Sequence, residues 1–177
     1  MQVRVYTVAA LIVLAPTFQA AGRVAERESR EAARPDAVFP VRGQVDWGEA
    51  DARFGAFRGG HVHEGQDVFA DAGTPLVAIR DGKVVETGDD GGRGNYIAIW
   101  SAEARHTFVY LHMLRPSRLA VGDTVRMGDQ VGRVGCTGSC WGDHLHFEWR
   151  DGRGTTGEAH DPLHLLERLA ARRAARR

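Results

Sequence analysis

The sequence has no excess of charge of either sign, a single lysine (Lys83) and no apolar run long enough to cross a membrane comfortably. The 23 basic and 23 acidic residues give a formal net charge of +0, so nothing global indicates nucleic acid as a partner. The main apolar run near the start covers residues 5–15, about half of the ~20 residues that a membrane-spanning helix needs. The length of 177 residues favours one domain with short appendages.

The first 22 residues have the layout of a secretory signal peptide. Arg4 precedes the apolar run, and small residues follow at positions 20–22. An uncleaved anchor is the alternative. We therefore expect a secreted, periplasmic or cell-wall-associated protein without a stable membrane span after processing. Residues 23–37 are charged, poor in large apolar groups and rich in arginine and glutamate, and they predict a linker.

The residue pattern changes at residue 38, where short apolar runs begin to alternate with glycine, aspartate and proline. The runs are PLVAI (75–79), KVVET (83–87), NYIAIW (95–100), HTFVYLHM (106–113) and TVRMGDQVGRVG (124–135). Their spacing of roughly ten residues is typical of an all-β sandwich or barrel and not of alternating βαβ units. We expect the folded domain to cover residues 38–166.

The end of the chain, PLHLLERLAARRAARR, predicts a short helix with a basic tail over residues 167–177. Cations in the last turn of a helix complement its dipole, which gives the tail an ordinary structural explanation. The alternative is that the tail attaches the protein to an anionic wall polymer or a lipid surface.

The eight histidines are clustered in motifs that suggest metal chemistry. His63 and Asp67 are spaced as H-x-x-x-D, His112 lies in a strand-like run, and His144 and His146 form H-x-H. Alternation in a strand puts both histidines of H-x-H on one face, opposite Leu145 and Phe147. Catalytic zinc uses three protein ligands and leaves one position to water. His63, Asp67 and one of the H-x-H histidines would supply that set.

The remaining histidines are expected close to such a centre or on the surface. The second H-x-H histidine would lie beside the metal-bound water, where an imidazole can move protons. His112 is expected to share a strand face with Tyr110 and Phe108 and to reach the same cleft. His61 lies two residues before His63 and could line the groove, and Glu148 could support His146 or face solvent. Surface positions are expected for His106, His160 and His164.

Several motifs in the same order resemble the lysostaphin/LytM-type zinc metallopeptidases. They are HEGQDVFADAGTPLVAIRDGKVVETG, GNYIAIW, TFVYLHM, VGDTVRMGDQVGRVGCTG and HLHFE, spread over residues 38–166. The resemblance implies a mostly antiparallel β barrel-sandwich, built as a duplicated hybrid motif, with an open groove and a short C-terminal helix. It also implies one zinc ion per chain and the peptide part of peptidoglycan as substrate.

Residue roles follow from the same resemblance. It implies that His63, Asp67 and His146 are the zinc ligands and that His112 and His144 are the catalytic pair. Asn95 and Tyr110 are implied as substrate contacts. The sequence departs from the family pattern at Gln66, where an aliphatic residue is usual, and in the cysteine-containing loop before His144.

The two cysteines of that loop, Cys136 and Cys140, lie in the stretch GCTGSCWG. They could be zinc ligands, but in an oxidising compartment a local disulfide is the simpler interpretation. So small a ring contributes only ~2 kcal/mol in the chain-entropy picture. We therefore expect the disulfide mainly to hold the loop before His144 in one shape.

Two functions other than a zinc endopeptidase fit parts of the sequence. A non-catalytic wall-binding or hydrolase-activating protein of the same fold is the main alternative, although all five functional positions are present. A biotinyl or lipoyl carrier domain is suggested by VGDTVRMGDQVG but needs a lysine at a hairpin tip. Lys83 lies in a different turn, which argues against a carrier.

Overall fold

The computed structural model describes residues 36–176 of the chain. The expected signal peptide, residues 1–22, and all but the last two residues of the expected linker, 23–37, lie outside the described residues. Ala37, at the end of that linker, is buried in the hydrophobic core, so the folded region already includes it. In the part of the chain that is described, every helix is too short or too polar to cross a membrane.

Residues 36–176 form eleven strands and one α-helix, with a short 3₁₀ turn at Ala50–Ala52. The elements are β1 (Phe57–Arg58), β2 (His61–Val62), β3 (Gln66–Phe69), β4 (Pro75–Val77), β5 (Gly82–Asp90), β6 (Gly94–Ser101), β7 (His106–Met113), β8 (Thr124–Val125), β9 (Gln130–Arg133), β10 (His144–Asp151), β11 (Ala159–His160) and α1 (Leu163–Ala174). Each apolar run found in the sequence overlaps a strand, so the all-β prediction is confirmed.

Seven of these strands form one open antiparallel sheet. Its order is β11-β10-β7-β6-β5-β8, and β3 also pairs with β10. β3 pairs with the first half of β10 and β11 with its second half. Two small sheets, β1-β2 and β4-β9, complete the described region. The expected antiparallel architecture is confirmed, with open sheets and no closed barrel in residues 36–176.

The central strands β6 and β7 are buried on both faces of the large sheet. One face belongs to the main core and includes Ile97, Ile99, Phe108 and Tyr110. The other face forms a smaller cluster of Tyr96, Ala98, Val109 and Leu111. Leu111 lies opposite His146 in the β7-β10 register. The smaller cluster therefore adjoins the face of β10 on which the histidines of H-x-H lie.

Helix α1 packs against the main core through one apolar stripe. Leu166 and Leu169 are buried, and residues three apart share a helix face. The Arg173 guanidinium donates hydrogen bonds to the backbone carbonyls of Val41 and Gly43 and lies over the Phe39 ring. The expected boundary between domain and basic tail at residue 166 therefore falls inside a packed helix. The Arg173 charge is used within the fold.

We expect Leu166→Ala to lower the free energy of unfolding by ~2–5 kcal/mol, because it deletes a fully buried side chain and leaves a cavity. Urea unfolding followed by circular dichroism measures the change. Leu163→Ala, at a partly exposed position of the same helix, is the matched control and should cost less. Equal losses for the two variants would contradict the packing of α1 described above.

Candidate functional site

Strand β10 turns His144 and His146 to one side of the large sheet. Leu145 and Phe147 lie fully buried in the main core on the other side, as the alternation of a strand requires. β3 pairs antiparallel with the same stretch and puts Asp67 opposite His146. The register therefore brings a carboxylate beside the second imidazole of H-x-H.

Three side-chain atoms from His63, Asp67 and His146 converge at one point. His63 Nε2 lies 3.1 Å from Asp67 Oδ1 and 2.8 Å from His146 Nδ1, and the last two atoms are 2.9 Å apart. Ligands about 2.0–2.1 Å from a tetrahedral zinc ion lie roughly 3.3 Å from one another. The three buried residues expected as ligands are thus together, with a spacing close to that of a metal shell.

Hydrogen bonds outside the cluster fix the proton positions on both imidazoles. His63 Nδ1 lies 2.8 Å from the Arg53 carbonyl oxygen, and His146 Nε2 lies 3.2 Å from Glu148 Oε1. Both partners are acceptors, so each of these ring nitrogens carries the proton. When both rings are neutral, the nitrogens that face Asp67 therefore present lone pairs. Three converging acceptors repel one another, and a divalent cation that takes imidazole and carboxylate ligands relieves that repulsion.

The second oxygen of Asp67 is held by an arginine that the sequence analysis did not identify. Arg58 Nη2 donates to Asp67 Oδ2 at 2.5 Å, and the same guanidinium donates to the Asp51 carbonyl. Only Oδ1 of Asp67 then remains directed at the two imidazoles. The cation on Oδ2 makes one-oxygen ligation by this carboxylate the favoured geometry.

Gly65 is required by the close approach of β10. A Cβ atom at this position would lie 2.6 Å from His146 Nε2 and 2.7 Å from the Phe147 carbonyl oxygen. Real side chains do not tolerate such contacts, and the nearby atoms include rigid backbone. The glycine of H-E-G-Q-D therefore lets the segment that carries Asp67 pack directly against His146.

Two buried, charged side chains, Glu148 and Arg150, support His146 on its Nε2 side. Glu148 Oε1 accepts the His146 proton, and Glu148 Oε2 accepts from Arg150 Nε at 2.6 Å. Arg150 also donates to Glu64 Oε2 and to the Gly157 carbonyl. Burial alone would raise the pKa of Glu148, but the bonds from His146 and Arg150 lower it to about 2. Glu148 thus stays an anion that orients His146, the supporting role weighed for it from the sequence.

His112 reaches the site because its backbone breaks the strand alternation. Phe108 and Tyr110 point into the main core, and strict alternation would send His112 there too. Instead His112 has φ of +59°, a left-handed conformation that is uncommon for a residue with a side chain. Its ring centroid lies 4.9 Å from that of His144 and 5.9 Å from that of His146. The expected shared face with Tyr110 and Phe108 was therefore wrong, although His112 is at the site.

The loop between β9 and β10 orients both of these imidazoles. His112 Nδ1 lies 2.9 Å from the Thr137 carbonyl, and His144 Nδ1 lies 2.8 Å from the Gly142 carbonyl. Each Nδ1 therefore carries a proton, and each Nε2 presents a lone pair. Cys136 and Cys140 of the same loop are bonded to each other, as the sequence predicts. The disulfide closes the loop that fixes both rings.

The ionisable groups of the site are tuned by burial and by each other. Burial lowers the pKa of His112 to about 4 and also lowers that of His144. Burial by itself would raise the pKa of Asp67, but the neighbouring imidazoles of His146 and His63 keep that pKa well below its usual range. Asp67 is thus anionic, and His112 and His144 are neutral bases near pH 7.

The two residues implied as substrate contacts are engaged in the structure itself. Tyr110 is fully buried, and its hydroxyl accepts a hydrogen bond from the Ile79 backbone, so the implied substrate contact is corrected to a core position. Asn95 is also buried and donates to the Met113 carbonyl at 3.1 Å. Its backbone N–H donates to Thr137 Oγ1, which ties the loop to the strand end beside His112.

Two other positions that the sequence singled out contribute less directly. His61 is exposed in β2 and belongs to none of the metal-capable groups found in residues 36–176. Gln66 is fully buried opposite Phe147 and donates to the Asp67 backbone carbonyl. The unusual glutamine thus packs behind the carboxylate and does not enter the groove.

An open groove of about 1120 Å³ leads to the site. Asp67, His112 and His144 line it, together with Arg58, the partly buried Phe69 and two exposed aromatic side chains. Those aromatics, Phe57 and Trp141, are 77% and 87% exposed. Large apolar side chains so exposed beside a groove indicate a contact surface for a ligand. Sequence reasoning missed these groups because neither lies in a histidine motif.

Comparison with known proteins identifies a peptidase family. The family model "Peptidase family M23" matches residues 61–162, more than half of the chain. The glycyl-glycine endopeptidase ALE-1 of Staphylococcus capitis is 37% identical over 109 residues, which are 61% of this chain and 30% of that protein. The peptidoglycan DD-endopeptidase ShyC of Vibrio cholerae is 32% identical over 115 residues, 65% of this chain and 23% of the relative.

Among solved structures, the catalytic domain of the antimicrobial peptidase lysostaphin from Staphylococcus simulans is similar throughout. It shares 32% identity with a TM-score of 0.59, and the alignment covers 71% of this chain and 92% of that one. The chain spans less than a third of the two curated relatives. The resemblance found in the sequence is confirmed, and the chain belongs to peptidase family M23.

Proposed function

We propose that this chain is an exported zinc-dependent endopeptidase that hydrolyses peptide bonds of cell-wall peptidoglycan. One observation carries the proposal: three ligand atoms converge beside two further imidazoles, and Asp67, His112 and His144 line one open groove. The names of the relatives, a glycyl-glycine endopeptidase and a peptidoglycan DD-endopeptidase, support peptide bonds of the wall as the substrate class.

His63, Asp67 and His146 would hold one zinc ion through Nε2, Oδ1 and Nδ1. When bound, zinc lowers the pKa of water toward 7 and polarises a carbonyl oxygen. Two imidazoles and one carboxylate suit zinc better than a hard cation such as magnesium. Arg58 and Glu148 keep the ligands oriented from outside, in the way that supporting hydrogen bonds raise metal affinity at other sites.

His144 and His112 supply the proton transfers that peptide hydrolysis needs. His144 Nε2 is buried without a hydrogen-bond partner and lies 3.6 Å from Asp67 Oδ1. A neutral Nε2 there can accept the proton that water releases as its oxygen attacks the peptide carbonyl carbon. The proton then goes to the departing amine nitrogen as the C–N bond breaks. His112, whose ring is adjacent, can share that proton or stabilise the charge on the carbonyl oxygen.

The groove suits an extended peptide that remains attached to a polymer. The groove is open to solvent, and Phe57 and Trp141 offer exposed apolar surface beside the site. Export is supported by the signal-like first 22 residues and by the Cys136–Cys140 disulfide, since disulfides persist in oxidising compartments. We also propose that the exposed Arg168, Arg172 and Arg176 of the basic tail bind an anionic wall polymer.

The first prediction separates ligands from proton-transfer groups. His146→Ala should lose both zinc and activity, because it deletes one of three protein ligands. His144→Ala and His112→Ala should keep most of the zinc while kcat falls by roughly 10²–10⁴-fold. Zinc content and turnover of one wall peptide are measured for each variant. If His144→Ala empties the site and His146→Ala does not, the roles are reversed.

The same two imidazoles should act as a unit. The double variant His112→Ala/His144→Ala should lose far less activity than the product of the two single losses, because residues that serve one step are non-additive. Turnover of the four proteins of this cycle decides the point. Fully multiplicative losses would show that the two rings act in separate steps.

Zinc should copurify with the chain at about one tightly held equivalent. Chelation should abolish cleavage of purified peptidoglycan, and added zinc should restore it, with products identified by mass spectrometry. Lytic inactivity of the zinc-loaded protein would favour the non-catalytic alternative. Tightly bound magnesium without zinc would contradict the ligand assignment.

The disulfide should matter more for activity than for stability. In Cys136→Ser/Cys140→Ser, the loop that supplies the Thr137 and Gly142 carbonyls is released, so kcat should fall by at least 10-fold through misplaced imidazoles. The ring closes few residues, so the free energy of unfolding should fall by only ~2 kcal/mol. Zinc content should stay unchanged and serves as the control. Unaltered kcat would show that the loop keeps its shape without the bond.

A further inference from the structure

A second group of two histidines and one aspartate lies at the far end of β10. Asp151 Oδ1 is 3.2 Å from His106 Nε2 and 2.8 Å from His160 Nε2. Three strands contribute, since His106 begins β7, Asp151 ends β10 and His160 ends β11. Strand pairing brings them together, because His106 lies opposite Asp151 and His160 lies opposite Trp149.

This group is separate from the site already described. Asp151 is five residues beyond His146 along β10, about 16 Å at the rise of a strand. By alternation it lies on the face of Leu145, Phe147 and Trp149, whereas His144 and His146 lie on the opposite face. None of the three residues lines the groove. The sequence analysis expected both histidines only as surface residues.

Trp149 holds the two imidazoles in place. Its ring packs edge-on against His106 with centroids 5.1 Å apart and tilted against His160 at 5.4 Å. The two imidazoles themselves lie 5.9 Å apart. Contacts of this kind restrict rotation of the rings and so reduce the entropy cost of binding a ligand there. The two Nε2 atoms are thus directed at one carboxylate oxygen before any cation is bound.

We propose that His106, Asp151 and His160 form a second metal site that takes a divalent transition metal of the zinc class. The three ligand atoms lie within 4.8 Å of one another, and two imidazoles with one carboxylate suit zinc, copper or nickel better than magnesium or calcium. The side chains are 26%, 53% and 37% exposed in chain order, so water can complete the shell. The same exposure makes this site weaker than the buried one.

Occupation of the site would fasten β11 and the turn before it to the large sheet. β11 pairs with β10 through only two residues, so its attachment is otherwise small. A metal bound by His160 and His106 would link β11 to β7 across the end of β10. Slower amide hydrogen exchange in residues 152–160 is the expected structural consequence. The proposal does not depend on the catalytic function proposed above.

Zinc titration of the whole chain tests the proposal. Isothermal calorimetry and equilibrium dialysis against zinc chloride should give two equivalents, one tight and one weaker. His106→Gln, His160→Gln and Asp151→Asn should each lose the weaker equivalent and keep the tight one. His164→Gln removes an exposed histidine from α1 and, as the matched control, should keep both. Circular dichroism checks that each variant is folded.

His146→Ala keeps the two outcomes apart. It should lose the tight equivalent and retain the weaker one, so failure of the proposed catalytic site cannot be mistaken for failure of this one. The proposal is overturned if neither the wild-type protein nor His146→Ala binds a weaker zinc equivalent, or if His160→Gln leaves that equivalent in place. It is also overturned if that equivalent survives in both His106→Gln and His160→Gln, since hydrogen bonding to Asp151 would then be the whole role of these histidines.

Discussion

The antiparallel register between β3 and β10 is the constraint on which the rest of the site depends. It sets Asp67 opposite His146 and Gln66 opposite Phe147. Since side chains alternate along a strand, a shift of one residue would exchange the face of every side chain on β10. The histidines would then enter the core, and Leu145 and Phe147 would face the groove. Burial of those two apolar side chains thus stabilises the same register that assembles the ligands.

A buried group of acceptors carries an electrostatic cost that the surroundings offset. Glu148 and Arg150 form a buried pair behind His146, and Arg58 covers the second oxygen of Asp67. Removing one member of a buried pair leaves an unpaired charge and typically costs 3–5 kcal/mol. These charged side chains therefore orient His146 and Asp67. The apolar core supplies the free energy of folding that keeps them in place.

Backbone groups set the direction of the two imidazoles that are not ligands. His112 adopts a left-handed conformation at the end of β7, and such strain persists only where surrounding contacts enforce it. Here the His112 N–H donates to the Arg93 carbonyl, and its ring donates to the Thr137 carbonyl. The disulfide loop thus acts on β7 and β10 together, which explains how a short ring of chain can matter to both His112 and His144.

The sequence by itself determined the strands of the five apolar runs, the shared face of His144 and His146 and the grouping of the histidine motifs, because alternation and motif spacing are local properties. It also indicated the family, whose order of motifs extends along most of the domain. Only the tertiary structure decided that Tyr110 is a core residue while His112 turns to the site, because that depends on one backbone torsion angle. Strand register and loop shape likewise decided which contacts the Thr137 and Gly142 carbonyls and Arg58 make. They also decided that His106 meets Asp151 and His160. These join residues far apart in the chain through contacts that no local pattern encodes.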